Sequence, residues 1–253
     1  MHILVTNDDG ITSPGLLALA KALRTLGNVS VLAPDHNWSA SGHVKTLNRP
    51  LRVSSETLAD GTPALACDGA PSDCVALASL GIIKEKIDLV VSGINPYPNL
   101  GNDMTYSGTV TAAMEGAIWG IPSFAISLDG SGNINNLDFE GAAQIAVRIA
   151  NQVYTHKLPV KTLLNVNVPN LPLDKINGLQ VTRLGLRVYQ DELVQRNDPQ
   201  GRPYYWIGGK APTGLAEEST DFGALAAGYV SITPIHMDMS AYHMMDEVSS
   251  WSW

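Results

Sequence analysis

Short apolar segments alternate with amphipathic ones along the first two thirds of the chain. Ile3–Val5 is apolar and is followed by polar residues, which predicts a buried strand and a loop. Ser13 and Pro14 then supply an N-cap and a proline at the first helical position, and Gly27 ends the predicted helix. Val29–Ala33 predicts the next strand, so this region forms a βαβ unit with a right-handed crossover.

The same alternation recurs up to about residue 170. Further helices are predicted at residues 71–80, 109–116 and 139–154. Further strands are predicted at residues 87–92, 123–127 and 162–168. Regular alternation of strand and helix predicts an α/β protein with an open, doubly wound and mostly parallel sheet.

After about residue 170 the pattern changes to short segments in which apolar and polar residues alternate. Three of them predict antiparallel hairpins: Leu179–Thr182, Tyr204–Ile207 and Tyr229–Thr233. Residues 190–203 are polar and contain two prolines and a glycine, which predicts a loop. Trp251 and Trp253 lie in a tail, where their rings require cover from the same chain or from a partner. We predict one domain over 1–253, with a core of residues 1–170 and an extension of residues 171–253.

Composition and charge narrow the possible functions. A formal net charge of −8 disfavours binding to long nucleic acid, which needs a basic surface. A small phosphorylated substrate remains compatible, because a divalent cation can invert the charge at one site. Cys67 and Cys74 fit no common zinc spacing and indicate packing roles in a reducing compartment. Because the sequence also lacks a signal peptide and a long apolar run, we expect a cytoplasmic protein without membrane association.

Four predicted loops lie at the carboxyl edge of the sheet, where open α/β sheets bind ligands. They are Asn7–Gly10, Pro34–Ser39, Gly93–Gly101 and Tyr106–Thr109. Asp8 and Asp9 are adjacent carboxylates that repel each other, and Mg²⁺ or Mn²⁺ relieves such repulsion by binding to oxygen ligands. The pair therefore indicates a divalent metal site. The alternative is a solvated turn in which one acid caps a helix.

Two further features of these loops suggest phosphate chemistry. Ser107–Thr109 precedes a predicted helix, where free N–H groups and the helix dipole favour an anion, although a plain N-cap is the alternative. His36 and His43 flank the second loop and are candidate acids or bases, or simply hydrogen-bonding surface residues. The sequence has no nucleophile elbow, P-loop or dinucleotide fingerprint, which disfavours the corresponding functions.

Two other classes of protein share parts of this pattern. Receiver domains also carry paired acids after a first parallel strand, but they require an aspartate at the end of a later strand. Here that strand ends in Ser92 and Gly93, followed by Asn95, and the chain is much longer than a receiver domain. A nucleotide-binding regulatory protein without catalysis remains possible, because a metal and phosphate site can bind without turnover.

Several segments match one known family in order and spacing. They are Ile3–Gly10, Ala33–Ser39, Val91–Asn95, Asn99–Gly101, Tyr106–Gly116, Leu164–Pro169, Val181–Arg183, Thr220–Phe222 and Gly228–Pro234. The chain resembles the SurE (stationary-phase survival) family of nucleotidases over nearly its whole length. Each motif is modest by itself, and their combination makes the resemblance specific.

The resemblance implies a fold, an activity and a set of site residues. It implies a Rossmann-like core with C-terminal β-hairpin extensions exchanged between subunits, hence a homodimer or homotetramer. It implies hydrolysis of nucleoside 5′- and 3′-monophosphates to nucleoside and phosphate, and in some members cleavage of short polyphosphate. It implies one Mg²⁺ or Mn²⁺ per subunit, bound by Asp8, Asp9, Ser39 and Asn95, with Asp8 and Asp9 catalytic. It also implies phosphate or substrate contacts from Asn7, Asn99, Ser107, Gly108 and Thr109.

Two positions depart from the family pattern. Tyr97 stands where a glycine is usual, and a positive φ there would cost about 1 kcal/mol or more. Lys45 replaces an apolar residue and suggests either a phosphate contact or a solvated surface charge. We hypothesise metal-assisted phosphomonoester hydrolysis, in which the cation neutralises charge that develops in the transition state. The attacking group is either a water on the metal or an aspartate.

Overall fold

Nine strands form one sheet with helices on both faces in the computed structural model. It describes residues 1–132, 136–189, 191–209 and 213–253. The strands are β1 (His2–Thr6), β2 (Asn28–Pro34), β3 (Val53–Thr57), β4 (Pro63–Cys67), β5 (Leu89–Asn95), β6 (Ser123–Asp129), β7 (Thr162–Pro169), β8 (Leu179–Val181), β9 (Arg187–Val188), β10 (Asp191–Asn197), β11 (Pro203–Gly209), β12 (Thr213–Gly214) and β13 (Val230–His236). The α-helices are α1 (Pro14–Leu23), α2 (Pro71–Leu77), α3 (Gly108–Ile118), α4 (Phe139–His156), α5 (Asp221–Ala226) and α6 (Met245–Ser249).

The strand order of the main sheet is β3-β4-β2-β1-β5-β6-β7-β13-β8. Strands β4, β2, β1, β5, β6 and β7 run parallel to one another, whereas β3 is antiparallel to β4 and β13 is antiparallel to β7. The chain leaves β1 through α1 to β2 on one side and later enters β5 on the other side. The boundary between β1 and β5 is therefore the topological switch point, where open α/β sheets bind ligands.

The central strand β1 is apolar without interruption because both of its faces are covered. Ile3 and Val5 pack in the same cluster as Leu16 and Leu19 of α1. The residue between them, Leu4, packs on the opposite face in a cluster with Cys74 of α2. Helices α1 and α4 contact each other, as do α2 and α3, so the sheet lies between two helical layers. The predicted α/β fold is confirmed, and so are its parallel strands and the helices predicted before residue 170.

The β3-β4 hairpin was not predicted. Strand β3 has the sequence Val-Ser-Ser-Glu-Thr and is largely exposed at the edge of the sheet. It therefore carries too few apolar residues to give a strand pattern.

The predictions after residue 170 need correction. Residues 190–203 were predicted as a loop, but β10 occupies most of that segment and forms an antiparallel hairpin with β11. Both strands of this hairpin are exposed, so a polar sequence is compatible with pairing. Leu179–Thr182 and Tyr229–Thr233 were predicted as hairpins, but β8 and β13 pair in parallel within the main sheet. Exchange of the extension between subunits and a domain boundary at residue 170 stay predictions. None of the helices that the structure describes has both the length and the apolarity to cross a membrane.

Candidate active site

Three loops meet at the carboxyl ends of β2, β1 and β5. The register pairs Val5 with Val31 and Thr6 with Ser92, so the three strands end at nearly the same level. The N–H of Trp38, in the loop after β2, donates to the main-chain oxygen of Asp8 at 2.7 Å. This bond joins the loop that carries Ser39 to the loop that carries the aspartate pair. The predicted approach of these two loops at the edge of the sheet is therefore present.

Asp8 is buried and is oriented by the N-terminus of α3. The hydroxyl of Thr109 donates to Asp8 Oδ1. Gly108 lies against the same side chain so closely that an added Cβ would be 2.6 Å from Asp8 Cβ. Burial raises the pKa of Asp8, and hydrogen bonds from the Thr109 side chain and the α3 main chain act in the opposite direction. Residue 108 must be glycine, because the Cβ of any other residue would collide with the Asp8 side chain.

Asp9 is half-buried, and no cation among the described residues pairs with it. Its Oδ2 is buried without a hydrogen-bond partner among the residues that the structure describes. Burial, together with the charge of Asp8, raises the pKa of Asp9 to about 7. An ionised carboxylate in this position is costly unless a cation or donor accompanies it. A divalent cation beside Asp8 and Asp9 would provide that charge.

Ser39 and Asn95, in the loop after β2 and at the end of β5, carry neutral oxygen donors at the same edge of the sheet as the aspartate pair. Ser39 is exposed, and its N–H donates to Asn37 Oδ1 at 2.8 Å. Asn95 is the last residue of β5, and its amide nitrogen donates to the Tyr97 carbonyl, which leaves its amide oxygen for another partner. Carboxylate, hydroxyl and amide oxygens are the ligands that Mg²⁺ and Mn²⁺ prefer, so the residues fit such an ion. In the part of the chain that the structure describes, no group of three His, Cys, Asp or Glu residues is placed to bind a metal.

Comparison with known proteins identifies the family of this chain. A family model described as "Survival protein SurE" matches residues 3–191. The chain belongs to the SurE family. A protein of Herpetosiphon aurantiacus named 5′-nucleotidase SurE is 54% identical over 253 residues, which cover 100% of this chain and 99% of that protein. A protein of Chloroflexus aggregans with the same name is 52% identical, with 100% of both chains covered. The crystal structure of the SurE protein from Aquifex aeolicus matches with a TM-score of 0.84 and 44% identity, and the match covers 98% of each chain.

The five predicted phosphate or substrate residues of this SurE protein differ in their contacts. Asn7 is fully buried, and its side chain bonds to the main chain of Gly10 through both its nitrogen, at 3.0 Å, and its oxygen, at 3.2 Å. Its observed role is to shape the loop that presents the aspartates. Ser107 caps α3 by accepting from the Val110 N–H at 3.2 Å. Gly108 packs against the Asp8 side chain, and the Thr109 hydroxyl donates to it. Contact of all these residues with phosphate stays a prediction.

Asn99 belongs to a buried polar network that the sequence analysis did not identify. Its Nδ2 donates to Ser127 Oγ at 2.8 Å, and its N–H donates to Asn167 Oδ1 at 2.7 Å. The carbonyl of Asn99 accepts from the side chains of Asn165, at 2.8 Å, and Asn167, at 3.1 Å. The sequence contained a sign of this network, because Asn165 and Asn167 lie on the same face of the otherwise apolar strand Thr162–Pro169. This network fixes the loop between Asn95 and Gly101.

Tyr97 and Lys45 are explained differently from expectation. Tyr97 is exposed and does not have a positive φ, so the expected backbone cost does not arise. Lys45 is half-exposed, as expected of a surface charge, and its Nζ also lies 3.0 Å from Glu115 Oε1, a contact that was not predicted. Of the two candidate histidines, His36 bonds to its neighbour Asp35 and is exposed, whereas His43 bonds to Glu115.

A cavity of about 890 Å³ lies at the opposite edge of the sheet. Its lining includes Lys86, Ile121 and Lys161, which lie just before β5, β6 and β7. A large pocket is the usual first candidate for a ligand site. We assign the site to the other edge because the paired carboxylates lie there, at the switch point where such sheets bind ligands.

Proposed function

We propose that this SurE protein is a metal-dependent phosphomonoesterase that hydrolyses nucleoside 5′-monophosphates to nucleoside and phosphate. The observation that carries the proposal is the Asp8-Asp9 pair at the switch point, with one buried Asp9 oxygen that lacks a partner among the described residues. The names of the full-length relatives, 5′-nucleotidase SurE, support the substrate class. We include 3′-monophosphates and short polyphosphate as further substrates, following the family resemblance.

The proposed metal ligands are Asp8, Asp9, Ser39 and Asn95, for one Mg²⁺ or Mn²⁺ per subunit. A cation bound there would polarise a phosphate oxygen and neutralise charge that develops in the transition state. The chain itself supplies the order that this chemistry needs. Thr109 fixes the direction of the Asp8 carboxylate, and the Trp38 N–H fixes the main chain of the same residue.

Asp8 and Asp9 have different proposed roles because their oxygens differ in availability. Asp8 accepts from Thr109 through Oδ1 and is almost fully buried, so it acts as an oriented ligand. The Oδ2 of Asp9 is buried and has no hydrogen-bond partner among the described residues. If an aspartate rather than water attacks the phosphorus, Asp9 is therefore the residue that does so. Phosphate contacts from Asn7, Asn99 and Ser107–Thr109 complete the proposal and follow the family pattern.

The decisive experiment is phosphate release from a panel of 5′- and 3′-nucleoside monophosphates with Mn²⁺, with Mg²⁺ and with EDTA. We expect release that depends on the metal and is strongest with nucleotides. Short polyphosphate and a simple sugar phosphate serve as comparison substrates. A folded protein that binds nucleotide but releases no phosphate with either metal would overturn the proposal in favour of a regulatory binding protein.

We also propose a homodimer or homotetramer in the cytoplasm. Support comes from the exposed apolar side chains of the β10-β11 hairpin, where Ile207 is 88% exposed and Trp206 64% exposed. The C-terminal Trp253 is 89% exposed as well. Such residues are typical of surfaces that a second chain covers. Light scattering that reports a compact monomer at micromolar concentration would contradict this proposal. Two buried free cysteines are compatible with the cytoplasmic location.

A further inference from the structure

Residues 42–46 form an irregular segment whose main chain is bonded to α2, to α3 and to Tyr106, just before α3. The N–H of Gly42 donates to the Tyr106 carbonyl at 2.9 Å, and its carbonyl accepts from Thr111 Oγ1 at 3.0 Å. At the other end, the N–H of Thr46 donates to Asp73 Oδ1 at 3.0 Å. The segment has no strand or helix of its own, so these tertiary bonds determine its position.

Glu115 of α3 is the centre of this attachment. Its side chain is only 4% exposed. Its Oε2 is 3.0 Å from His43 Nε2, and its Oε1 is 3.0 Å from Lys45 Nζ. The indole of Trp119, one turn along the helix, donates to the same Oε1 at 2.9 Å. Two of the three partners come from residues 42–46, which lie about 70 residues earlier in the chain.

The charge of Glu115 is stabilised by these partners and not by water. Burial alone would raise the pKa of this carboxyl, but the bonds from His43, Lys45 and Trp119 outweigh burial and lower it to about 2. Glu115 is therefore ionised at neutral pH. Bonds to a buried, ionised acceptor are stronger and more directional than bonds between neutral groups. Loss of the carboxylate leaves the Lys45 ammonium beside a largely apolar helix without a partner.

The position of the attachment connects two parts of the candidate metal site. Thr109, in the first turn of α3, orients Asp8. Glu115, less than two turns further along the same helix, holds the segment that follows the loop of Ser39. Helix α3 therefore contacts both the aspartate side and the serine side of the site.

We infer that Glu115 is a positioning residue that fixes the Ser39 loop against Asp8 and Asp9, and thereby sets the affinity of the site for its divalent cation. Lys45 and His43 are the partners through which it acts. The inference rests on the proposed function, because it assumes that Ser39 and the two aspartates bind one metal. The hydrogen-bond partners of the Glu115 side chain are His43, Lys45 and Trp119, none of which is a proposed metal ligand.

The test compares Glu115→Gln with wild type in the full-length protein. Electron paramagnetic resonance measures Mn²⁺ binding without reference to activity, and hydrogen exchange measures the protection of the Gly42 and Thr46 amides. We expect at least tenfold weaker Mn²⁺ binding and faster exchange in residues 42–46. We expect kcat to recover at saturating Mn²⁺, because the ligands themselves are intact. Asp60→Asn is the control, since it removes an ion-paired carboxylate, bonded to Arg24 at 2.7 Å, on a different part of the surface.

Lys45→Met is the second variant, for the case in which Glu115→Gln does not fold. It keeps most of the side-chain volume and removes one of the three donors, so about threefold weaker Mn²⁺ binding is expected. A lower melting temperature with unchanged Mn²⁺ affinity and unchanged exchange in 42–46 would show a purely structural role and overturn the inference. If wild type itself binds no Mn²⁺, the proposed metal site fails instead, so the two failures are distinguishable.

Discussion

Replacing Gly108 with alanine tests whether the close approach of α3 to Asp8 sets the geometry of the site. The new Cβ would lie 2.6 Å from Asp8 Cβ and 3.0 Å from its Oδ2. Ordinary contact begins at 3.4 Å, so the carboxylate or the helix must move by about 0.8 Å. Asp8 has little freedom to move, because Thr109 holds its side chain and Trp38 holds its carbonyl.

The magnitude follows from the size of this displacement. A misplacement of about 1 Å in a catalytic group costs on the order of 100-fold in rate. We therefore expect Gly108→Ala to lower kcat/KM by roughly 50- to 100-fold, equivalent to about 2.5 kcal/mol of transition-state stabilisation. Insertion of a methyl group into a packed site also destabilises the fold by about 1–3 kcal/mol. The helix remains compatible with alanine, since φ at Gly108 is not positive.

The assay is phosphate release from a nucleoside monophosphate at saturating metal, with urea unfolding to measure stability. Gly132→Ala is the control, because an added Cβ there meets no atom of the described residues within 4 Å. The control should keep wild-type kcat/KM. Wild-type activity in Gly108→Ala would refute the reasoning, because it would mean that Asp8 can move freely or does not take part in the reaction.

Three further predictions concern the surroundings of the site. Asp9→Asn should lower kcat, measured as phosphate release, by at least about 1000-fold. It should nevertheless raise the melting temperature in EDTA by a few degrees, because it removes an uncompensated charge. Wild-type turnover would contradict the assignment of Asp9 as a catalytic residue. Asn167→Ala should destabilise the fold by about 2–3 kcal/mol in urea, since the main-chain N–H and carbonyl of Asn99 each lose a partner. It should also raise KM. Unchanged stability would show that the network does not hold the Asn99 loop. Because the folded pKa of Glu115 is lowered, its stabilising effect is present at neutral pH and should be lost as pH falls from about 4.5 to about 2, by roughly 2–3 kcal/mol. Glu115→Gln should flatten that part of the urea-derived stability profile, and an unchanged acid limb would contradict the explanation.

The sequence predicted the half of the fold that depends on local signals. The strand after Met1, the N-cap and proline of α1 and the polar residues after each strand are all encoded within a few positions of one another. Because parallel strands end at a common edge, those local signals also located the aspartate pair, Ser39 and Asn95 near the switch point. The contact of Thr109 with Asp8, 101 residues apart, was not predicted, because Thr109 was assigned to phosphate.

The features that were missed depend on partners far away in the sequence. The pairing of β13 with β7 joins residues separated by more than 60 positions, and no local pattern specifies it. The partner of Lys45, Glu115, is likewise distant, so the sequence analysis did not predict their ion pair. Asn7 was assigned to substrate by resemblance, which stays a prediction, and the turn that its side chain closes with Gly10 was not predicted.

The placement of β13 between β7 and β8 has a consequence for synthesis on the ribosome. When residues 162–169 have emerged, β7 is an open edge, and its partner arrives about 60 residues later. At a synthesis rate of about 5–20 residues per second, that edge waits for several seconds in a nascent chain. An unpaired edge is a template for wrong pairing with another chain. A protein that ended before residue 230 would carry this edge permanently, so we expect such truncations to aggregate even though every residue of the aspartate site is present.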